Sequence, residues 1–206
     1  IYSRSNTMKY LFSLIAVCMV GTILQAQQNE LKPVSIDVST FYGSILEHNP
    51  DISHLITGHP RGLVISYNRK TYGYNEWESR YNFPDWGFTF TYQDMQNPYL
   101  GQNFGLYGHF NWYFLNRMLR VGVAQGVAYA SNPYDPETNF QNNAYGSTLL
   151  STTLLKGEIV KENIYKGLGA HLGMGVIHYS NANLKAPNNS TNTNNSVFPL
   201  NKFFII

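Results

Sequence analysis

The sequence predicts an all-β protein, an antiparallel up-and-down transmembrane β-barrel of about eight strands. Three observations carry that reading. Stretches of about ten residues alternate bulky apolar side chains with small or polar ones, the period of an extended backbone whose successive side chains face opposite ways. Charged residues make up 13% of the chain and aromatics 15%, whereas soluble domains hold about a quarter charged residues. Beyond the N-terminal region, no apolar run approaches the roughly 20 residues that a spanning helix needs.

The chain begins with a segment to be set aside. Ile1 to Thr7 precede a Met8-Lys9 pair and read as upstream readthrough. Residues 8–26 read as a secretory signal peptide, with Lys9 as the positive region, Tyr10 to Leu24 as the apolar run and cleavage after Ala26. Leu24 is larger than the small residue favoured at its place. Cys18, the single cysteine, lies inside the apolar run, so the mature chain holds no disulfide and no thiolate metal site. Val17 argues against a lipoprotein cleavage before Cys18. Residues 27–206 then form one domain.

Ser35 to Leu46 reads as a first strand, with Ile36, Val38, Thr40, Tyr42 and Ser44 on one face. Residues 47 to 61 are polar and hold His48, His54 and His59. Their spacing fits neither a helix face nor a strand face and no carboxylates join them, so they read as solvated loop histidines rather than metal ligands. Gly62 to Tyr72 is a second strand with Leu63, Ile65 and Tyr67 on its apolar side, and the polar segment Glu76 to Asp85 a loop.

The next strands have the clearest pattern. Trp86, Phe88, Phe90 and Tyr92 share one face of Trp86 to Asp94, which on a soluble monomer would be a large exposed patch. Lipid is the medium that such a row suits, with Trp and Tyr near its borders. Asn103 to Phe114 repeats the design, and places His109 on the inward row as a core hydrogen-bonding residue. After a short turn at Asn116-Arg117, Leu119 to Ala130 sends Val121, Val123, Val127 and Tyr129 outward and small residues inward. Short turns and long polar loops are expected at the two ends of an outer-membrane barrel.

Ser131 to Asn143 is an Asn- and Pro-rich loop and Ala144 to Leu155 a sixth strand. Residues 156 to 163 are charged and predict a turn with Glu158 and Glu162 in solvent. Ile164 to Ser180 is the seventh strand: Leu168, Leu172, Met174 and Val176 lie on the row that continues into His178 and Ser180, while the opposite row is rich in glycine. Closure requires one more strand. Pro199 interrupts the pattern after Val197, so the barrel is expected to be incomplete at its C-terminus, with truncation or a frameshift after Asn195.

His178 and Ser180, two residues apart on a strand, stand on one face. A histidine able to take the proton of a serine hydroxyl is the minimum for an activated oxygen nucleophile. Asn181 follows with an amide suited to a developing oxyanion, as are the backbone N–H groups of the turn. By itself His-x-Ser is a common coincidence.

The run His178-Tyr179-Ser180-Asn181-Ala182, followed by Lys185, Pro187 and Asn188, resembles the signature of the lipid A 3-O-deacylase family. Tyr134-Asp135 and Asn139 to Asn143 look like its acyloxyacyl hydrolase branch. The resemblance implies an outer-membrane β-barrel in which His178 is the base, Ser180 the nucleophile and Asn181 an oxyanion contributor. Founding members place a glutamate fourteen residues after the histidine, and Asn192 holds that place here. An asparagine carbonyl can orient an imidazole without supplying a full charge. Ser190 also departs from the branch, which favours glycine there.

The function expected is that of an outer-membrane esterase that removes an ester-linked acyl chain from lipid A of lipopolysaccharide, with no metal or organic cofactor. A non-catalytic structural or binding barrel is the alternative, and a general phospholipid esterase a narrower variant. Lipopolysaccharide and outer-membrane lipid are the expected partners. A net charge of +2 with no basic patch among aromatics excludes nucleic acid, and no oligomeric state is implied.

Overall fold

The computed structural model describes residues 34–47, 50–181, 185–187, 191–195 and 201–205, the last two stretches as backbone. The readings on residues 1–26, His48, Asn188, Ser190 and Pro199 fall outside them. Ten strands follow in chain order: β1 Val34–Tyr42, β2 Ser44–Leu46, β3 Arg61–Arg69, β4 Asp85–Asp94, β5 Gln102–Phe114, β6 Leu119–Ala130, β7 Leu149–Tyr165, β8 Leu168–Ser180, β9 Thr191–Asn195 and β10 Asn201–Ile205. Among the described residues, a 3₁₀ turn, Pro50–Leu55, and one helical turn, Glu76–Arg80, accompany them.

All pairings are antiparallel. The ladder passes from β1 through β3, β4, β5, β6 and β7 to β8. From β8 it continues to β9, which pairs β2, and to β10, which pairs β1. The wall therefore returns to its start, and the gap expected at the C-terminal end is bridged by these two short strands. Following direct partners once round, from Ile36 through Tyr67, Phe88, Gly108, Gln125, Thr153, His178 and Asn192, arrives at Leu46. That offset along one bent strand is the stagger a tilted barrel requires.

Alternation sorts the side chains as the sequence predicts. On β4 Trp86, Phe88 and Phe90 are exposed while Thr89, Thr91 and Gln93 are buried, and β5 and β6 repeat the pattern with Leu106, Val121, Val123, Val127 and Tyr129 outward. His109 points inward and bonds Thr89 Oγ1 through Nδ1 at 2.8 Å, and Ser66 completes that chain at 2.8 Å from Thr89.

The expected turn at 156–163 is instead the second half of β7, a 17-residue strand. Glu158 is buried at 3% exposure, and Glu162 is half-buried and paired with Lys70 at 3.0 Å and Arg117 at 3.5 Å. The run is charged because its inward positions meet charges across the lumen. Arg120 on β6 donates to Glu158 Oε2 at 2.7 Å, to Asp37 Oδ2 at 2.7 Å and to His171 Nδ1 at 2.6 Å, and Lys156 stands 3.1 Å from Glu158. A guanidinium only donates, so His171 receives through a bare Nδ1. The true turn is Lys166-Gly167, both at positive φ, and Ile164 belongs to β7 rather than to the next strand. The sixth strand likewise starts at Leu149, since Ala144 and Tyr145 lie buried in the preceding loop.

The connections separate by end. Residues 50–60, 95–101, 131–148, 181 and 185–187 lie at one end, and those at 70–84, 115–118 and 166–167 at the other. Asn139 and Asn142 order the first group. Asn139 Nδ2 donates to the carbonyls of Tyr99, Asn132 and Pro133, each at 3.0 Å, and Asn142 Nδ2 to those of Asn132 and Tyr99 at 2.7 and 3.2 Å.

Candidate active site

β8 carries the candidate site at its last residues, beside the end that gathers the long loops. Its inward row, Gly169, His171, Ile177 and Tyr179, is buried or nearly so, while Leu172 and Met174 are exposed on the other row. His178 and Ser180 continue that outward row, both half-buried. The two residues proposed from their spacing thus share the lipid-facing side of the wall.

The register supplies the rest of the setting. On one side His178 lies directly opposite Thr153 and Ser180 opposite Ser151, both on β7. On the other, Asn192 of β9 lies directly opposite His178. Asn192, fourteen positions after His178 in the chain, therefore occupies the strand position facing it, where directly opposed Cβ atoms stand about 4.5–5.5 Å apart in an antiparallel pair.

Tyr179 anchors the site from within. Its ring is fully buried, its hydroxyl donates to Gln93 Oε1 at 2.9 Å, and Tyr145 packs edge-on against it at 6.3 Å. Tyr107 bonds Thr152, the residue opposite Tyr179, at 3.0 Å. Because Tyr179 separates His178 from Ser180, this packing fixes the strand segment from which both project.

Asn181 follows directly after β8. Its side chain is 1% exposed and its Nδ2 donates to the carbonyls of Lys185 and, at 3.4 Å, Pro187. The amide holds the loop after Ser180, because Asn181 falls on the inward side where the alternation places it. Gly146 lies against the same cluster: a Cβ there would overlap both loop carbonyl oxygens and Asn181 Nδ2.

A family model described as lipid A 3-O-deacylase (PagL) matches residues 61–201, a span from the start of β3 to β10 that includes the whole His178–Asn192 segment. The chain belongs to the lipid A 3-O-deacylase family. Among solved structures, the crystal structure of the outer membrane enzyme PagL superposes with a TM-score of 0.52 at 18% identity, covering 83% of this chain and 98% of that one. At that identity the likeness speaks for the fold, an outer-membrane-type barrel. No curated protein sequence matches the chain.

Within this lipid A 3-O-deacylase barrel His54 and His59 take other places. His54 bonds the Gln141 carbonyl at 2.8 Å through Nε2, tying the 3₁₀ turn to the 131–148 loop. His59 lies 3.2 Å from Ser44 Oγ and stacks beside Tyr42. Among the described residues no group of three metal-ligating side chains converges.

The sequence reading passed over three residues beside the dyad: Gln125, Ser151 and Thr153. Thr153 Oγ1 donates to Gln125 Oε1 at 2.5 Å, and Gln125 Nε2 to Ser151 Oγ at 3.2 Å. Their signal was available as a lone amide between Val123 and Val127 on an otherwise apolar outward row.

Proposed function

We propose that the chain is an outer-membrane esterase that hydrolyses an ester-linked acyl chain of lipid A, with Ser180 as nucleophile and His178 as base. The observation that carries this reading is the placement of both residues on the lipid-facing row of β8 with Asn192 opposite His178. An acyl chain of a lipid packed against the wall lies on that same side. The long loops mark the outward end of an outer-membrane barrel, which brings the dyad to the leaflet where lipid A resides.

In this scheme His178 takes the Ser180 proton as Oγ adds to the ester carbonyl. The resulting oxyanion is met by backbone N–H groups of the turn after Ser180, with Asn181 shaping that turn through its hold on Lys185 and Pro187. The carbon–oxygen bond to the sugar breaks, and the leaving oxygen receives the proton from His178. Water, deprotonated by His178, then attacks the acyl-enzyme, releasing the fatty acid and restoring the serine hydroxyl. Asn192 orients the imidazole through its carbonyl, without the charge a carboxylate would add.

The test is fatty-acid release from lipopolysaccharide by the purified barrel in detergent micelles. Wild type should release it, and Ser180→Ala and His178→Ala should each lower the rate by at least about a thousandfold. Equal release by wild type and Ser180→Ala would remove the esterase reading and leave a non-catalytic barrel.

A further inference from the structure

Gln125 is a polar residue set among apolar ones on the lipid side of β6, with Val123 before it and Val127 after it on the same row. An amide facing acyl chains loses its water and is costly unless bonded. Here it is bonded to Thr153 and Ser151, which lie directly opposite His178 and Ser180. A polar strip thus runs from the dyad across β7 to β6. On the next strand Gln125 faces Gly108, where an added Cβ would meet open space, between Leu106 and Phe110 on the row and beside Phe88 on β4. The strip therefore ends in a notch among large side chains.

Its direction is set by the barrel. The line of direct partners through His178, Thr153, Gln125 and Gly108 leads away from the long-loop end toward Ile36, whose strand starts opposite Arg69 at the short-turn end. With strands about 4.8 Å apart and tilted about 40°, each step lowers the line by about 3 Å, so Gln125 lies about 6 Å deeper than His178. One hydrogen and one lone pair of its carboxamide are engaged, and a second of each remains in its inventory.

We propose that Gln125, supported by Ser151 and Thr153, is a subsite for a second oxygen of the substrate: a hydroxyl or ester oxygen borne on the acyl chain below the scissile carbonyl, with the rest of the chain passing over Gly108. The inference rests on the esterase reading for what the carbonyl does at Ser180. Its consequence is selectivity for oxygenated over plain acyl chains. Polar side chains bonded only to one another would serve the fold as well without any such selectivity, and the two cases are separable.

The experiment uses two synthetic glycolipids with the same sugar and chain length, one carrying a 3-hydroxyacyl ester and one a plain acyl ester. Binding to the Ser180→Ala barrel in micelles is measured alongside hydrolysis by the barrel with Ser180 intact. The hydroxylated lipid should bind about tenfold tighter, as expected for one additional hydrogen bond in an apolar setting. Gln125→Leu should bring the two within twofold, and Gly108→Leu should weaken both lipids. Equal binding of the two by the Ser180→Ala barrel, or a preference that survives Gln125→Leu, overturns the subsite. Absence of hydrolysis by wild type counts against the esterase reading alone, because the binding ratio still decides the subsite.

Discussion

Replacing Arg120 with leucine tests how the lumen is held. The guanidinium is 1% exposed and donates to Glu158, Asp37 and His171 at 2.6–2.7 Å. With Lys156 it sets two cations against two carboxylates. In Arg120→Leu, Glu158 keeps Lys156 at 3.1 Å. Asp37 loses the Arg120 bond, and its Oδ1 has no hydrogen-bond partner among the described residues. Removing one member of a buried ion pair costs about 3–5 kcal/mol, mostly through the charge left behind. Removing that charge too, in Arg120→Leu with Asp37→Leu, should therefore cost less than Arg120→Leu alone. Urea unfolding of the barrel in lipid vesicles, followed by tryptophan fluorescence, measures both. A loss below about 1 kcal/mol for the single variant, or a double variant as unstable as the sum of the two singles, would refute a lumen organised by charge pairing.

Two further predictions concern the loops. Gly146→Ala should lower fatty-acid release by at least about tenfold with little change in unfolding, since its Cβ would displace the turn after Ser180 rather than the wall. Release assayed beside urea unfolding checks this. Glu78 is held below the usual carboxylate range first by the Asn75 amide and then by the backbone N–H groups of Gly73, Tyr72 and Tyr74. A lowered value means that its contribution is complete above the ordinary glutamate pKa of about 4.3 and fades as pH falls through the folded value. Proteolysis within 70–84 should accordingly rise below about pH 4 in wild type, and at neutral pH in Glu78→Ala.

The wall was legible because lipid imposes a period-two rule that each strand obeys separately. Trp86, Phe88 and Phe90 announce an outer face without any knowledge of their neighbours. The shared face of His178 and Ser180 was legible for the same reason, since two residues apart means one face. The lumen was not. Lys156 and Glu158 resemble a solvated turn until Arg120 and Asp37, remote in sequence, are brought opposite them. The register of Asn192 with His178 and the bonds linking Gln125 to Ser151 and Thr153 are likewise relations between strands. The hold of the buried Asn181 amide on the carbonyls of Lys185 and Pro187 is likewise a relation within the loop that alternation along β8 does not reveal.

Labelling of the barrel with a fluorophosphonate, followed by mass spectrometry, addresses the nucleophile most directly. An activated serine on the lipid-facing wall should yield a single adduct on Ser180, absent from His178→Ala and restored by no other substitution at that position that lacks a base. An adduct on a different serine, or equal labelling of Ser180 in wild type and His178→Ala, would contradict the assignment.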